Sequence, residues 1–224
     1  MTAAVLFLES GSRMHHRFWL AGAPVEVLFD RHTDGAVSAE AARLAEKLVA
    51  LDCGLPPNAV RVATLAPSGR PVAFLANGGR PPQVSISHAG GLIGAAVSAT
   101  GRVGLDIVDP RDAGPALDIF FTPEEKKVRA NNPTLWRARV WAAKEAAYKA
   151  ASLDAAFQPR RVAITGLGAD RFSWLVRYPA GLVRGMGCWC AAGSLVVAVA
   201  IAAGPGSLEA DGEAEAVRCR EMSR

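Results

Sequence analysis

Asp106 is the first residue whose type and setting point to chemistry. It lies within the apolar residues 104–108, which are predicted to form a strand. Side chains alternate between the two faces of a strand, so Asp106 shares a face with Gly104 and Val108. A buried carboxylate is costly unless it is paired or bound to a metal ion, so Asp106 requires a partner. The alternative is a strand-end aspartate that closes the following turn.

A predicted helix carries the second candidate group. Trp141, Glu145 and Lys149 recur every four residues, so they form one stripe on a helix, with Lys144 on the neighbouring stripe. The chain has only five lysines, and two of them flank Glu145. The alternative is an exposed helix whose Glu–Lys pair contributes roughly 0.3 kcal/mol. The concentration of lysine around one glutamate favours a functional group.

Ser87 and His88 form the third candidate group, at the end of a predicted strand that runs into Gly90 and Gly91. Hydroxyl and imidazole groups at such a position could hydrogen-bond an anion, and glycine lets a ligand approach the backbone. The alternative is that His88 is a turn histidine. No acidic residue nearby completes a hydrolase triad, and the Gly-x-Ser-x-Gly motif is absent.

Helices and short strands must position these residues. Ser38 is a predicted N-cap for a helix that ends at Gly54, and a capping box begins at Thr122. Asn132-Pro133 ends that second helix and precedes a third, predicted from Thr134 to about Ser152. Strands are predicted at residues 25–29, 60–64, 84–87, 92–98, 102–108, 161–165 and 172–177, and in a hairpin at 188–201. Residues 92–98 and 102–108 are predicted to pair as another hairpin.

This order predicts an α+β fold built by pseudo-two-fold duplication of two lobes. Each lobe would be a helix packed on a small, mainly antiparallel sheet. The lobes are predicted at residues 1–105 and 106–203, with the metal and catalytic motifs in the second, and residues 204–224 are predicted to be a disordered tail.

Composition excludes several classes of function. The net charge of +4 comes from scattered basic residues rather than a stripe, so no nucleic-acid partner is expected. Residues 185–208 are uncharged and could suggest a membrane span, but glycine and proline interrupt them, which favours a buried hairpin. We therefore expect no membrane partner and a cytoplasmic protein.

Together the three groups form an ordered set that resembles the 4′-phosphopantetheinyl transferase superfamily. The motifs that carry the resemblance are Gly69-Arg70-Pro71, Ser85-Ile86-Ser87-His88, Gly104-Leu105-Asp106-Ile107-Val108, and Trp141-Ala142-Ala143-Lys144-Glu145-Ala146 with Lys149. The segment at residues 120–125 is also similar to the stretch that precedes the last motif. The chain length of 224 residues is similar to that of the monomeric, two-lobed type that activates synthetases.

The resemblance implies an enzyme that transfers the 4′-phosphopantetheine arm of coenzyme A to a serine hydroxyl of an acyl or peptidyl carrier protein. Adenosine 3′,5′-bisphosphate would be released. Asp106 and Glu145 would hold Mg²⁺, which prefers oxygen ligands. Glu145 would also accept the serine proton, and Lys149, helped by Lys144, would balance the charge of the pyrophosphate.

The remaining implied contacts are with coenzyme A and the carrier. Ser87 and His88 would hold phosphates of coenzyme A, and Arg70 would reach its ribose phosphate. Carrier recognition usually combines apolar and basic side chains. The candidates for that surface are Phe120, Phe121, Lys126, Lys127 and Arg129.

Two departures from the superfamily pattern motivate an alternative. The second acid of the strand motif is here Val108, which cannot bind a cation, and Asp109 could replace it only across a bulge. We expect water to complete the shell, as Mg²⁺ often allows. The basic residue expected before the first long helix is also missing from residues 34–40. The alternative is a degenerate relative that binds coenzyme A or a carrier without catalysis.

Overall fold

A computed structural model of the chain describes residues 5–6, 13–32, 36–66, 68–127, 131–151, 156–179 and 181–203. The strands are β1 (Val5–Leu6), β2 (Met14–Leu20), β3 (Ala23–Arg31), β4 (Val60–Leu65), β5 (Arg70–Leu75), β6 (Gln83–Ala89), β7 (Leu92–Ser98), β8 (Val103–Val108), β9 (Val162–Leu167), β10 (Arg171–Tyr178), β11 (Gly181–Ala192) and β12 (Leu195–Ala202). The helices are α1 (Val37–Cys53), α2 (Pro123–Lys127) and α3 (Pro133–Ala151), with 3-10 helices at Pro57–Ala59, Pro110–Asp112, Pro115–Phe120 and Pro159–Arg161. The predicted tail at 204–224 and Arg129 lie outside the described residues.

The strands form three sheets. The first sheet has the order β2-β3-β7-β6 and is antiparallel. The second sheet has the antiparallel order β8-β12-β11-β10-β9, and β1 adds a parallel pairing to β11. Strands β4 and β5 form a separate antiparallel pair. The predicted α+β class, with helices on small antiparallel sheets, is confirmed.

The layers follow the order α1, first sheet, second sheet, α3. One apolar core joins α1 to the first sheet, a second lies between the sheets, and a third joins the second sheet to α3. The buried face of α3 consists mainly of alanine, which brings the helix axis close to the strands. The alanine-rich composition therefore has a structural use in this layer.

The two halves repeat the same pairings. The segment β3-α1-β4-β5-β6-β7 corresponds to β8-α3-β9-β10-β11-β12, and each strand pairing in the second segment has its counterpart in the first except one. Strands β10 and β11 pair over eight residues, whereas β5 and β6 are not paired. All of β8 pairs with β12, so the repeat begins before the predicted boundary after residue 105. The division into two lobes stays a prediction.

Some local predictions were wrong. Strands β7 and β8 do not form a hairpin, because β7 pairs with β3 and β6 while β8 crosses to the second sheet and pairs with β12. Both strands are buried along their whole length, so neither shows an alternation of buried and exposed side chains from which its neighbour could be predicted. Ala36 rather than Ser38 occupies the N-cap position of α1. The sequence patterns also missed β2 and β5.

The uncharged segment forms the predicted hairpin. Its described part belongs to β11 and β12, which are adjacent antiparallel strands of the second sheet. No helix among the described ranges is long and apolar enough to cross a membrane.

Candidate active site

A glycine lets α3 lie directly on the strand that carries Asp106. A β-carbon on Gly104 would lie 1.9 Å from the carbonyl oxygen of Ala146 and 2.7 Å from the backbone nitrogen of Ala150. Any side chain at this position would therefore push α3 away from β8. The close approach brings Glu145 and Lys149 over Asp106.

Gly104→Ala is therefore expected to destabilise the protein by about 2 to 4 kcal/mol, since backbone atoms of α3 cannot move aside independently. Urea denaturation would measure this loss. Gly114→Ala is the matched control, because Gly114 has a negative φ and open space around its missing β-carbon. An equal effect of the two substitutions would contradict the proposed close packing at Gly104.

The Asp106 carboxylate is buried and has two charged or polar partners. Its Oδ1 atom accepts hydrogen bonds from Lys149 Nζ at 2.7 Å and from Ser87 Oγ at 3.0 Å. The Lys149 ammonium also donates to the carbonyl oxygen of Leu105 at 3.0 Å. Asp106 thus has the partners that its burial requires, and it is not a simple turn-closing aspartate.

Glu145 faces the same carboxylate from α3. Burial, and after it the negative charge of Asp106, raise the pKa of Glu145 to about 7. Lys149 and a hydrogen bond with Trp141 act in the opposite direction on this pKa. Two adjacent carboxylates that share a lysine form an arrangement that a divalent cation would stabilise, because the cation neutralises their mutual repulsion.

This raised pKa predicts a dependence of stability on pH in the metal-free protein. Glu145 binds a proton more tightly in the folded state than in the unfolded state, so its contribution to stability worsens as the pH rises from about 4.5 to about 7. Glu145→Gln should therefore stabilise the metal-free protein at pH 8 by about 1 to 3 kcal/mol, after allowance for partial solvation, and have little effect at pH 4.5. Urea unfolding at the two pH values would measure this difference. An equal stabilisation at the two pH values would show that the charge of the Glu145 carboxylate is not the cause of the stabilisation.

Two adjoining cavities surround the carboxylate pair. The first, of about 250 Å³, lies between α3 and the strands β5 and β6, which do not pair with each other. The second, of about 450 Å³, lies beyond Asp106. Ile86, Glu145 and Lys149 line both cavities. We call the two cavities together the cleft.

The structure brings six of the seven predicted site residues to the cleft. Arg70 lines the first cavity, Ser87, His88 and Asp106 line the second, and Glu145 and Lys149 line both. Their roles stay predictions. The first cavity also contains Tyr148 and Phe157, whose rings are 5.0 Å apart and which the sequence patterns did not single out.

Lys144 is the predicted site residue that the structure does not bring to the cleft. Its side chain is fully buried, and Nζ lies 2.9 Å from Oε1 of the equally buried Glu125. Nζ also donates to the carbonyl oxygen of Val162. Burial lowers the pKa of Lys144, and the charge of Glu125 opposes this shift. The ammonium group is thus held in the interior by Glu125, away from the cleft.

Glu125 is a residue whose importance the sequence indicated only in part. The predicted capping box is confirmed. The backbone N–H of Thr122 donates to Oε2 of Glu125 at 2.7 Å, and the backbone N–H of Glu125 donates to Oγ1 of Thr122 at 3.2 Å. The other carboxylate oxygen accepts from the backbone nitrogen of Ile164 at 2.8 Å. Its pairing with Lys144 across the interior has no sequence signal.

The two residues after the strand motif do not supply a third metal ligand. Val108 is buried against the core below α3. The carboxylate of Asp109 is bound by the Arg111 guanidinium, with Nη2 at 2.6 Å, and these hydrogen bonds hold the pKa of Asp109 below its usual range. Among the described residues, no group of three or more histidine, cysteine, aspartate or glutamate side chains could hold a metal ion. A cation held by Asp106 and Glu145 alone would take its remaining ligands from water and substrate, as Mg²⁺ commonly does.

Comparison with known protein families finds one family model that matches part of the chain. Residues 102–180 match the model of the 4′-phosphopantetheinyl transferase superfamily. The matched range runs from β8 to the turn after β10, and it contains Asp106, Glu145 and Lys149. This segment of the chain is thus similar to the superfamily, and the similarity supports a transferase that acts on phosphopantetheine. No protein of curated function matches the chain.

Proposed function

We propose that the chain is a holo-carrier-protein synthase that requires Mg²⁺. It would transfer the 4′-phosphopantetheine arm of coenzyme A to a serine hydroxyl of an acyl or peptidyl carrier protein and release adenosine 3′,5′-bisphosphate. The observation that carries the proposal is the meeting of Asp106, Glu145 and Lys149 where the two cavities join. A pyrophosphate bound across this junction would lie beside both carboxylates and the lysine.

The proposed reaction forms a bond between the serine oxygen and the phosphorus that carries the pantetheine arm. The bond from that phosphorus to the bridging oxygen of the pyrophosphate breaks, and adenosine 3′,5′-bisphosphate leaves. Glu145 accepts the serine proton, directly or through a water molecule. Mg²⁺ held by Asp106 and Glu145 would supply charge neutralisation at the pyrophosphate.

Lys149 is proposed to balance charge on the leaving group. Its Nζ atom already lies at the junction of the cavities, held by Asp106 and the Leu105 carbonyl oxygen. An ammonium at this place needs little movement to contact a phosphate oxygen. Stabilisation of developing negative charge by a positioned cation is a large component of phosphoryl-transfer catalysis.

The cleft suggests an orientation for coenzyme A. The first cavity contains Arg70 for the ribose phosphate and aromatic rings for the adenosine end, and the second contains His88 for the pyrophosphate. His88 is exposed, so a ligand can reach it. The pantetheine arm and the carrier serine would then approach through the second cavity, where apolar Leu117 and Trp141 also lie.

Arg70→Ala is expected to weaken coenzyme A binding by about 10- to 100-fold, because a charge-assisted hydrogen bond to phosphate is lost. Its effect on dephospho-coenzyme A, which lacks the ribose phosphate, should be less than about threefold. Calorimetric titration with both nucleotides would measure the difference. Equal weakening of both nucleotides would show that Arg70 does not contact that phosphate.

The carrier surface is proposed to lie beside the second cavity. Lys126 and Lys127 are exposed and Phe120 is half-buried, so they can contact a carrier. Phe121 is only 7% exposed, since it packs into the core below α3, and it cannot serve this surface as predicted. Ile119, with 59% exposure, supplies an apolar contact in its place.

A test of the proposed function is incubation of the protein with a panel of apo carrier proteins, coenzyme A and Mg²⁺. Mass spectrometry should show addition of the phosphopantetheine arm to at least one carrier, and omission of Mg²⁺ should prevent it. Failure with acyl and peptidyl carriers alike would contradict the proposal. The panel also assigns the carrier class that the cleft serves.

The degenerate relative remains a second candidate, and Val108 in place of an acid is the observation that favours it. Such a protein would bind coenzyme A in calorimetry yet modify no carrier. A single chain supplies both walls of the cleft, which supports action as a monomer. The cytoplasmic location and the absence of a nucleic-acid partner stay predictions.

A further inference from the structure

The edges of the two sheets meet at the cleft without forming a continuous ladder. Strand β6 ends the first sheet and β8 ends the second, and the two strands lie side by side. Serine hydroxyls bridge them: Ser85 Oγ accepts from the backbone nitrogen of Leu105 at 2.9 Å, and Ser87 Oγ accepts from that of Ile107 at 3.1 Å. These two N–H groups therefore point away from β12, and the serines satisfy them.

The spacing of the serines matches the spacing of the donors. Ser85 and Ser87 are two residues apart on one strand face, as Leu105 and Ile107 are on the opposing strand. Both serines are more than nine-tenths buried. A buried N–H group without a partner costs about 1 to 3 kcal/mol, so the pair of hydroxyls maintains the junction between the sheets.

Only Ser87 extends this junction to the carboxylate pair. Its hydroxyl accepts from Ile107 and donates to Asp106 Oδ1 at 3.0 Å. A hydroxyl has one proton, and Ser87 uses it on Asp106. Ser85 lies on the same strand face and is equally buried, but its hydroxyl bonds to the backbone nitrogen of Leu105 and not to Asp106. A phosphate could receive the Ser87 proton only if the bond to Asp106 broke.

We propose that Ser85 and Ser87 are positioning residues that join the two sheets, and that Ser87 additionally fixes the Asp106 carboxylate in the orientation needed to hold the cation. The proposal rests on the proposed function for the identity of the cation. It differs from the expectation that Ser87 holds a phosphate of coenzyme A. Hydrogen bonds to a metal-binding side chain commonly change metal affinity by about 10- to 100-fold.

The test compares Ser87→Ala with the matched variant Ser85→Ala in the full chain. Mg²⁺ alone and adenosine 3′,5′-bisphosphate alone are titrated by calorimetry, and urea unfolding is followed without metal. Both variants should shift the unfolding midpoint to lower urea by similar amounts, because each leaves one β8 nitrogen unpaired. Ser87→Ala should weaken Mg²⁺ binding about tenfold or more, and Ser85→Ala by less than about twofold.

Three results would overturn the proposal. Equal weakening of Mg²⁺ binding by both variants would show that Ser87 only joins the two sheets and has no separate role in orienting Asp106. Weakened nucleotide binding with unchanged Mg²⁺ binding in Ser87→Ala would make Ser87 a phosphate ligand. Absence of Mg²⁺ binding by the unmodified protein would contradict the proposed function as well as this inference.

Ser87→Cys serves where the alanine variant does not fold. A thiol is a weaker hydrogen-bond donor than a hydroxyl, so the Mg²⁺ affinity of Ser87→Cys should fall measurably below that of the unmodified protein. Unchanged affinity in this variant would contradict the positioning role.

Discussion

Glu145→Gln is expected to reduce phosphopantetheine transfer by about 10³-fold or more. The substitution keeps the shape of the side chain and removes its charge. It therefore removes one of the two carboxylates that would hold Mg²⁺ and also the proposed acceptor of the serine proton. The loss should appear mainly in kcat, since the substitution leaves unchanged Arg70 and the aromatic rings of the first cavity, which are proposed to bind the adenosine end of coenzyme A.

Single-turnover mass spectrometry of a carrier protein would measure this loss. Glu124→Gln is the control, because Glu124 is a neighbouring glutamate on α2 whose side chain is 70% exposed. It should leave the rate within about twofold of the unmodified protein, as expected for a solvated charge. A Glu145→Gln variant that kept more than a tenth of the rate would contradict its proposed role. The predicted stabilisation of this same variant at pH 8 would show that the loss is not one of folding.

Lys144→Met is expected to give the largest loss of stability, about 3 to 5 kcal/mol. The substitution leaves the Glu125 carboxylate buried without its cation, at a position that solvent cannot reach. Glu125 would keep its hydrogen bonds from Thr122 and Ile164, which limits the loss but does not neutralise the charge. Chemical denaturation would measure the change in the free energy of unfolding.

Two further variants separate the buried pair from a general effect of lysine removal. Lys127→Met removes a lysine that is 75% exposed and 3.8 Å from Glu124, so it should change stability by less than about 0.5 kcal/mol. Adding Glu125→Gln to Lys144→Met should recover part of the loss, because the unpaired charge is removed. Unchanged stability in Lys144→Met alone would contradict the importance of the pair.

The same variant tests whether Lys144 takes part in the chemistry. Because its ammonium is bound in the interior, the rate of transfer per folded molecule should be retained when assays are run well below the unfolding midpoint. If fully folded Lys144→Met lost as much of the transfer rate as Glu145→Gln, Lys144 would have to be counted among the catalytic residues. The neighbouring position of Lys144 in the motif does not imply that its side chain shares the site.

Local patterns predicted much of the secondary structure. Strand β7 was predicted at its observed bounds, the α1 helix ends at Gly54 in the left-handed conformation, and the capping box at Thr122 forms as expected. These features depend on neighbours within a few residues, so the sequence contains the necessary information. Strand β5, which begins at Arg70, lacked such a pattern because its side chains are only partly buried.

Part of the site could likewise be predicted from local patterns, and part could not. Residues at helical spacing, Glu145 and Lys149, were predicted to share a stripe, and the strand alternation placed Asp106 on the face of Gly104. That these two groups meet could be expected from the superfamily resemblance but not from spacing alone. The structure supplies the physical cause, which is the absence of a side chain at Gly104 where α3 crosses β8.

By itself the sequence predicted the α+β class, most of the helices and strands, and six of the residues that line the cleft. Only the tertiary structure decided that Lys144 turns into the interior, that the serine hydroxyls join two sheets, and that β5 and β6 do not pair with each other and leave a cavity between them. The reason is that backbone spacing fixes which residues share a face within one element. Which face meets a partner, and where two edges separate, depends on packing between elements distant in the chain.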